Sequence, residues 1–318
     1  AELAESIRQN PRPILLECIT FRMRGHEEAS GTKYVPKALI EEWSKLDPLE
    51  NYEKFLLSES VLNEDLISEF KSECTNQIEE GLSKSFAEAP IEFNHSDELN
   101  DLYANFDTPP INPKDTKKEI RLIDAIHEGL FEAMQKHDNL VLMGQDIAEY
   151  GGVFKATEGF IESFGKERVR NTPLCESAIV GAALGLSIKK QKAMVEMQFA
   201  DFVTCGFNQI INNLAKANWR WSQNADVVIR MPTGAGVGAG PFHSQSNEAW
   251  FFHTPGLKIA YPAFPDDAKG LLLRSFEDPN PVMFFEHKAL YRSIKGDVPR
   301  GYYTIPFGKG VIRNSGNN

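Results

Sequence analysis

Between residues 119 and 286, apolar stretches with helical spacing alternate with short runs that are apolar at nearly every position, and this alternation restricts the fold more than any other feature. Runs such as AMVEMQF and VMFFEH have no polar face to turn to water. Strands of that kind lie in parallel sheets covered by helices on both sides. The pattern reads as helix 119–137, strand 139–143, helix 177–188, strand 193–199, helix 201–223, strands 226–231 and 257–261, helix 265–277 and strand 281–286. It predicts an α/β fold whose parallel sheet carries helices on both faces.

The first third is built differently. Residues 1–10 read as the end of a helix, ILLECITF at 14–21 as a strand apolar on both faces, and a polar loop, 22–36, leads to helices near 37–46, 49–57 and 63–87. The longest helix repeats Leu62, Leu66, Phe70, Cys74, Ile78, Leu82 and Phe86 every fourth residue, one apolar stripe. A single central-type strand cannot close a sheet, so residues 1–88 read as the helical tail of a second, incomplete α/β domain. Residues 89–118, with Pro90, Pro109, Pro110 and Pro113 among acidic and polar neighbours, read as a linker to a domain over 119–318.

Composition narrows the function classes. At 318 residues and 42% hydrophobic, the chain can bury at least one sizeable core, and its length suits about two domains. A net charge of −11, a pI near 5.2 and no cluster of Lys and Arg argue against a nucleic-acid partner. The apolar run at 178–188 is too short to cross a bilayer, and the N-terminus shows no basic region followed by an apolar one, so no membrane or secretory role is expected. Cys18, Cys74, Cys175 and Cys205 have no CxxC spacing and read as free, mostly buried thiols of a reducing compartment, the cytoplasm.

Two positions stand out chemically. In TPLCESAIVGAALGLSIKKQKAMVEMQFADF, residues 172–202, one acid, Glu176, opens a helix of apolar and small residues, with Leu174, Ile179 and Val180 as apolar neighbours. An acid there can be a plain helix cap. A carboxylate in a dry site can also hold or move a proton. His243 closes the run GAGVGAGPFHSQS, where glycines let the backbone approach a ligand. Gly234, Gly236 and Ala239 satisfy G-x-G-x-x-A, but Pro241 interrupts the helix that a dinucleotide motif should open, so that signal is weak.

The order TPLCE-x3-VGAALG, E-x-QFADF, R-x-P-x-GAGVGAGPFHSQS, PGLKIAYP and ED-x-NPVMFFEHKALYR, over roughly residues 118–313, resembles the pyrimidine-binding part of the beta subunit of 2-oxo acid dehydrogenase E1 components. PILLECITFRMRGHEEASGTKYVP, residues 13–36, resembles the end of the E1 alpha subunit. Together they imply an alpha tail fused to a beta head, with a thiamine diphosphate-binding fold. The implied reaction is oxidative decarboxylation of a 2-oxo acid, 2-oxoisovalerate first and pyruvate next, with acyl transfer to the lipoyl domain of an E2 acyltransferase.

The same resemblance assigns roles. Glu176 would hydrogen-bond the aminopyrimidine ring of the cofactor; His243, in the motif HSQ, would serve proton transfer and acceptance of the lipoyl group. His26 would face the cofactor from the alpha side, with Arg22 at the diphosphate or the substrate carboxylate. Leu174, Gln198 and Phe202 would line the pyrimidine pocket; the family often has tyrosine at Phe202. Glu27 stands where the family often carries a regulatory serine. Ala225, Val227, Ser275, Asp278 and Asn280 would hold a structural potassium ion through backbone oxygens and an Asp-x-Asn turn. No GDG motif, which holds the magnesium ion and diphosphate in this family, occurs in the sequence. The chain alone is therefore expected to be inactive, and a homo-oligomer, a dimer of fused chains equivalent to α2β2, is expected to complete the site. By the same resemblance, a further C-terminal domain would follow FGKGVIRNSGNN and is missing from this sequence. Two other readings remain: a non-catalytic assembly fragment, and a transketolase-like or deoxyxylulose phosphate synthase enzyme, which should show a basic cluster for its sugar phosphate.

Overall fold

The computed structural model describes residues 1–27 and 29–316, and the chain divides into two compact units, Ala1–Glu92 and Phe93–Asn318. The first unit holds α1 (Glu2–Gln9), α2 (Lys37–Ser44), α3 (Pro48–Ser58) and α4 (Glu64–Ala87). Local signals start two of these helices. Asp47 accepts from the Leu49 and Glu50 amides at 2.9 Å, with Pro48 in the first turn, and Asn63 accepts from the Leu66 amide at 2.8 Å. The strand expected at 14–21 does not form: those residues have no regular secondary structure, and Leu15, Leu16 and Ile19 are exposed. An apolar run becomes a strand only when another strand completes its hydrogen bonds, and every strand among the described residues lies in the second unit.

The second unit runs α5 (His95–Asp101), β1 (Lys117–Arg121), α6 (Leu122–Lys136), β2 (Leu140–Gly144), α7 (Phe160–Phe164), β3 (Val169–Asn171), α8 (Glu176–Ile188), β4 (Lys192–Glu196), α9 (Ala217–Trp221), β5 (Val227–Thr233), α10 (Ala249–Phe252), β6 (Lys258–Ala260), α11 (Pro265–Glu277), β7 (Val282–His287), α12 (Leu290–Ser293) and β8 (Lys295–Pro299). Six strands form a parallel sheet in the order β3-β2-β4-β5-β7-β6. The period of two sends neighbouring side chains to opposite layers. Met194, Val228 and Phe284 join Ile126 and Leu130 of α6 and Leu272 of α11, while Val195, Ile229 and Phe285 join Ile179, Val180 and Ala183 of α8. Each fully buried Leu, Ile or Phe of these layers contributes about 1.5–3 kcal/mol. β1 and β8 form a separate antiparallel pair, and Ile120 and Val298 close a third small core with Tyr303.

Four local readings change. Residues 117–121 are a strand rather than the start of the helix expected from 119, and α6 begins after Arg121, whose amide and guanidinium both bond the Asp124 carboxylate. The helix expected over 201–223 is broken into a 3-10 turn (Ala200–Gly206), a π-helical turn (Gln209–Leu214) and α9. Gly206 and the residues Asn208, Asn212 and Asn213 that follow are weak helix formers, and a Cβ at Gly206 would meet Val180 Cγ2 at 3.3 Å. The four cysteines are free, but Cys18, Cys74 and Cys205 are exposed and Cys175 is half-buried, not mostly buried as expected. In the proline-rich stretch, α5 forms behind an Asn94 cap, and residues 104–111 lie on the second unit: the Ala104 amide donates to Asn280 Oδ1 at 2.7 Å and the Ile111 amide to Thr304 Oγ1 at 2.7 Å. Among the described residues, no helix is long and apolar enough to cross a membrane.

Candidate active site

In a parallel sheet all strands end at one edge, and the crevice outside that edge is where ligands bind. Here β2 ends at Gly144 and runs into Gln145 and Asp146, β4 ends at Glu196 two residues before Gln198, β5 opens into the glycine run, and β7 ends one residue before Lys288. Glu176 is the first residue of α8 and only 7% exposed. Its carboxylate sits where the free amides of a helix start favour negative charge. Gln145 Nε2 donates to Glu176 Oε1 at 3.2 Å and so fixes the carboxylate. Cys175, Cys205 and Gln209 share with it an open cleft of about 560 Å³.

Gln198 joins this group through its amide nitrogen, which donates to the Gln145 carbonyl at 3.3 Å and to Asp146 Oδ2 at 3.2 Å. Gln145 is therefore the centre of the arrangement, and the sequence reading passed over it. The signal was present: GQD follows directly on the strand read at 139–143. Leu174 does not dry the site as expected, because it is 81% exposed; Ile179 and Val180, on the buried face of α8, do supply apolar neighbours.

His243 and Phe202 meet in a second group. The imidazole stands edge-on to Phe199 at 4.7 Å and to Phe202 at 5.5 Å, and its Nδ1 is buried without a hydrogen-bond partner. Gly234, Gly236, Gly238 and Gly240 all have positive φ, and a Cβ at Gly234 would come within 2.5 Å of His287 Nε2. After Gly240 the backbone makes only the short turn Pro241–His243, so the dinucleotide motif lacks its helix.

Beneath the edge, three central strands share a buried charge cluster absent from the sequence reading. Arg230 donates from Nε and Nη2 to the two oxygens of Glu286 at 2.6 and 2.7 Å, and from Nη1 to Glu196 Oε2 at 2.5 Å; the Tyr291 hydroxyl donates to Glu286 at 2.6 Å. Burial pushes the Glu196 carboxyl above its ordinary range, with Arg230 pulling the other way. Burial alone would lower the Arg230 guanidinium, but Glu286 and Glu196 outweigh it and raise it.

Arg22 and His26 lie in the first unit, both exposed. Gly25 between them is buried, and a Cβ there would run into the Ser30 carbonyl, so this loop turns where only glycine fits. Ala225, Val227, Ser275, Asp278 and Asn280 flank the starts of β5 and β7, at the edge of the sheet opposite Glu176. Asp278 Oδ2 accepts from Lys258 Nζ at 2.5 Å, the Asn280 side chain bonds the Ala104 amide and carbonyl at 2.7 and 2.9 Å, and Ser275 Oγ donates to the Leu271 carbonyl at 2.8 Å. Hydrogen bonds and an ion pair within the protein engage these three side chains, which leaves backbone carbonyls as the oxygens for a potassium ion.

Residues 118–294 match the family model "Transketolase, pyrimidine binding domain", and residues 2–92 match "Dehydrogenase E1 component". The first match spans more than half of the chain, and the chain belongs to the transketolase pyrimidine-binding domain family. It is 46% identical over 200 residues to the 2-oxoisovalerate dehydrogenase subunit beta of Bacillus subtilis (62% of this chain, 61% of that one). It is 43% identical over 217 residues to the mitochondrial 2-oxoisovalerate dehydrogenase subunit beta of Dictyostelium discoideum (67% and 58%). To the pyruvate dehydrogenase E1 component subunit beta of Acholeplasma laidlawii it is 39% identical over 201 residues (63% and 62%). The chain thus spans about three fifths of the length of these relatives.

Proposed function

We propose that the second unit supplies the pyrimidine side of a thiamine diphosphate site in a 2-oxo acid dehydrogenase E1 component, and that the first unit is a piece of its alpha-type domain in a fused chain. The observation that carries this reading is the Glu176 carboxylate, buried at a helix start, held by Gln145 and open to a cleft at the strand-end edge. That donor set suits an aminopyrimidine: a fixed carboxylate for a ring nitrogen, and Phe202 as a flat apolar surface. Thiamine diphosphate, when bound, supplies the electron sink for decarboxylation.

The residues divide the remaining work. Glu176 holds the proton at the ring nitrogen, and Gln145 and Gln198 keep the carboxylate in one orientation. His243, on its glycine-rich arm, moves a proton at the substrate and receives the lipoyl group of E2. Arg22 binds an anion, either diphosphate or substrate carboxylate, and His26 faces the cofactor beside it. Leu174 adds an apolar contact at the rim. Magnesium and the diphosphate belong to an alpha-type domain bearing the GDG motif, and a homo-oligomer, a dimer of fused chains, brings the two halves together. The substrate is a 2-oxo acid, branched-chain by preference and pyruvate next, in line with the names of the similar beta subunits.

The test is Glu176→Gln in the intact enzyme with thiamine diphosphate and magnesium, read as dye reduction driven by 2-oxoisovalerate, pyruvate or 2-oxoglutarate. Removing the ionisable group should lower turnover by about 10²–10⁴-fold, the usual contribution of a positioned acid or base. An unchanged rate would overturn the catalytic reading and leave an assembly role.

A further inference from the structure

Among the described residues, the buried side-chain polar atoms left without partners are concentrated near the His243 arm. Asp201 Oδ2, His243 Nδ1, Asn247 Oδ1, Glu248 Oε2 and Lys288 Nζ are all buried and unbonded. Two of these residues, Asp201 and Lys288, carry opposite charges, and each is 6% exposed.

Asp201 follows β4, in the 3-10 turn. Its Oδ1 accepts from the amides of Ser244 and Gln245, each at 3.1 Å. The Gln245 carbonyl accepts in turn from the Gly234 amide at 2.9 Å and from Thr233 Oγ1 at 3.1 Å. Asn247 Nδ2 donates to the Ala200 carbonyl at 2.8 Å. The arm carries four glycines with positive φ, and the residues just after His243 are strapped to the turn after β4 and to the end of β5.

Lys288 follows β7 and places its ammonium 5.2 Å from the centre of the Phe199 ring, the ring on which the His243 imidazole rests. Burial lowers the Lys288 pKa and the nearby Asp201 charge opposes that. A buried ammonium without a hydrogen bond is costly. Set over the Phe199 ring, it steadies the aromatic support of the imidazole.

Building on the catalytic reading of His243, we propose that Asp201 and Lys288 are positioning residues for it: Asp201 anchors the backbone beside the imidazole, and Lys288 holds Phe199 in place.

The experiment uses the intact enzyme and a double-mutant cycle. Asp201→Ala should speed amide exchange at Ser244 and Gln245 by at least about tenfold while Val228 to Arg230 stay protected, and should lower turnover by about 10–100-fold, the scale of lost outer support. In a His243→Ala background the same change should cost less than about twofold, because residues acting through one group are not additive. Lys288→Met should lower turnover in the same coupled way, with Lys288→Arg restoring part of it. Unchanged exchange at Ser244 and Gln245, or losses that multiply with that of His243→Ala, would overturn the proposal. If Asp201→Ala does not fold, Asp201→Asn keeps an acceptor for the two amides and removes only the charge; a loss equal in both backgrounds is then the overturning result. Turnover unaffected by His243→Ala would instead refute the functional reading of His243, and amide exchange would still report whether the strap exists.

Discussion

The two units have similar local instructions and opposite outcomes. In the first, capped helices and an apolar stripe are in place, yet among the described residues only Gly25 and Ile67 are buried, and Phe70, Ile78, Leu82 and Phe86 face outward. In the second, the same kinds of helix close over a parallel sheet whose central strands are buried on both faces. A cap and a repeat of four residues are enough to make a helix. A core requires a second surface, and among the described residues only the second unit supplies its own. The apolar stripe of α4 is then a face awaiting cover, as the alpha-type reading proposes.

The largest effect that can break this contrast lies in the polar cluster at the centre of the second unit. Arg230→Met leaves Glu196 and Glu286 buried without their cation, and loss of one partner of a buried ion group costs about 3–5 kcal/mol. Chemical denaturation followed by tryptophan fluorescence should show that loss. A change below about 1 kcal/mol would mean that apolar packing, and not the cluster, pins β4, β5 and β7 together.

What was legible in the sequence follows the same division. The strands buried on both faces announced themselves by composition, since a run such as VMFFEH has one stable home. Ile14 to Phe21 showed the same composition and misled, because pairing is decided by another segment. β3, at three residues, is too short and β8, KGDVP, too polar to carry a pattern of its own. At the site, Glu176 was visible as an acid in an apolar helix, and the histidine as the end of a glycine run. Arg230, Asp201 and Lys288 were not, since each draws its role from a partner distant in sequence, whereas Gln145 had a signal, GQD directly after a strand, that was passed over.

A middle-sized effect concerns acid stability of the second unit. Burial, with help from Lys192 and Lys136, pulls the His137 imidazole down from 6.5 to about 4. Below pH 6.5 the unfolded chain takes up a proton that the folded one refuses. Stability should therefore fall as pH drops from about 6.5 to about 4, by on the order of 1 kcal/mol once solvent screening of a partly exposed ring is allowed for. His137→Gln should flatten that part of the pH–stability curve. An identical slope in the variant would show that carboxylates alone produce it.

The smallest effect is the most direct test of the first unit. Phe86 is 83% exposed near the end of α4, so Phe86→Ser should change the unfolding free energy of this chain by less than about 0.5 kcal/mol. The same substitution at a buried aromatic of the second unit, Phe284, should cost at least about 3 kcal/mol. If Phe86→Ser costs more than about 1 kcal/mol, the stripe is covered in solution by a surface that the chain itself or a second copy provides. If the cost appears only in a longer chain that carries the rest of an alpha-type domain, the cover comes from that domain, and the contrast between the units is a contrast between a finished core and one face of another.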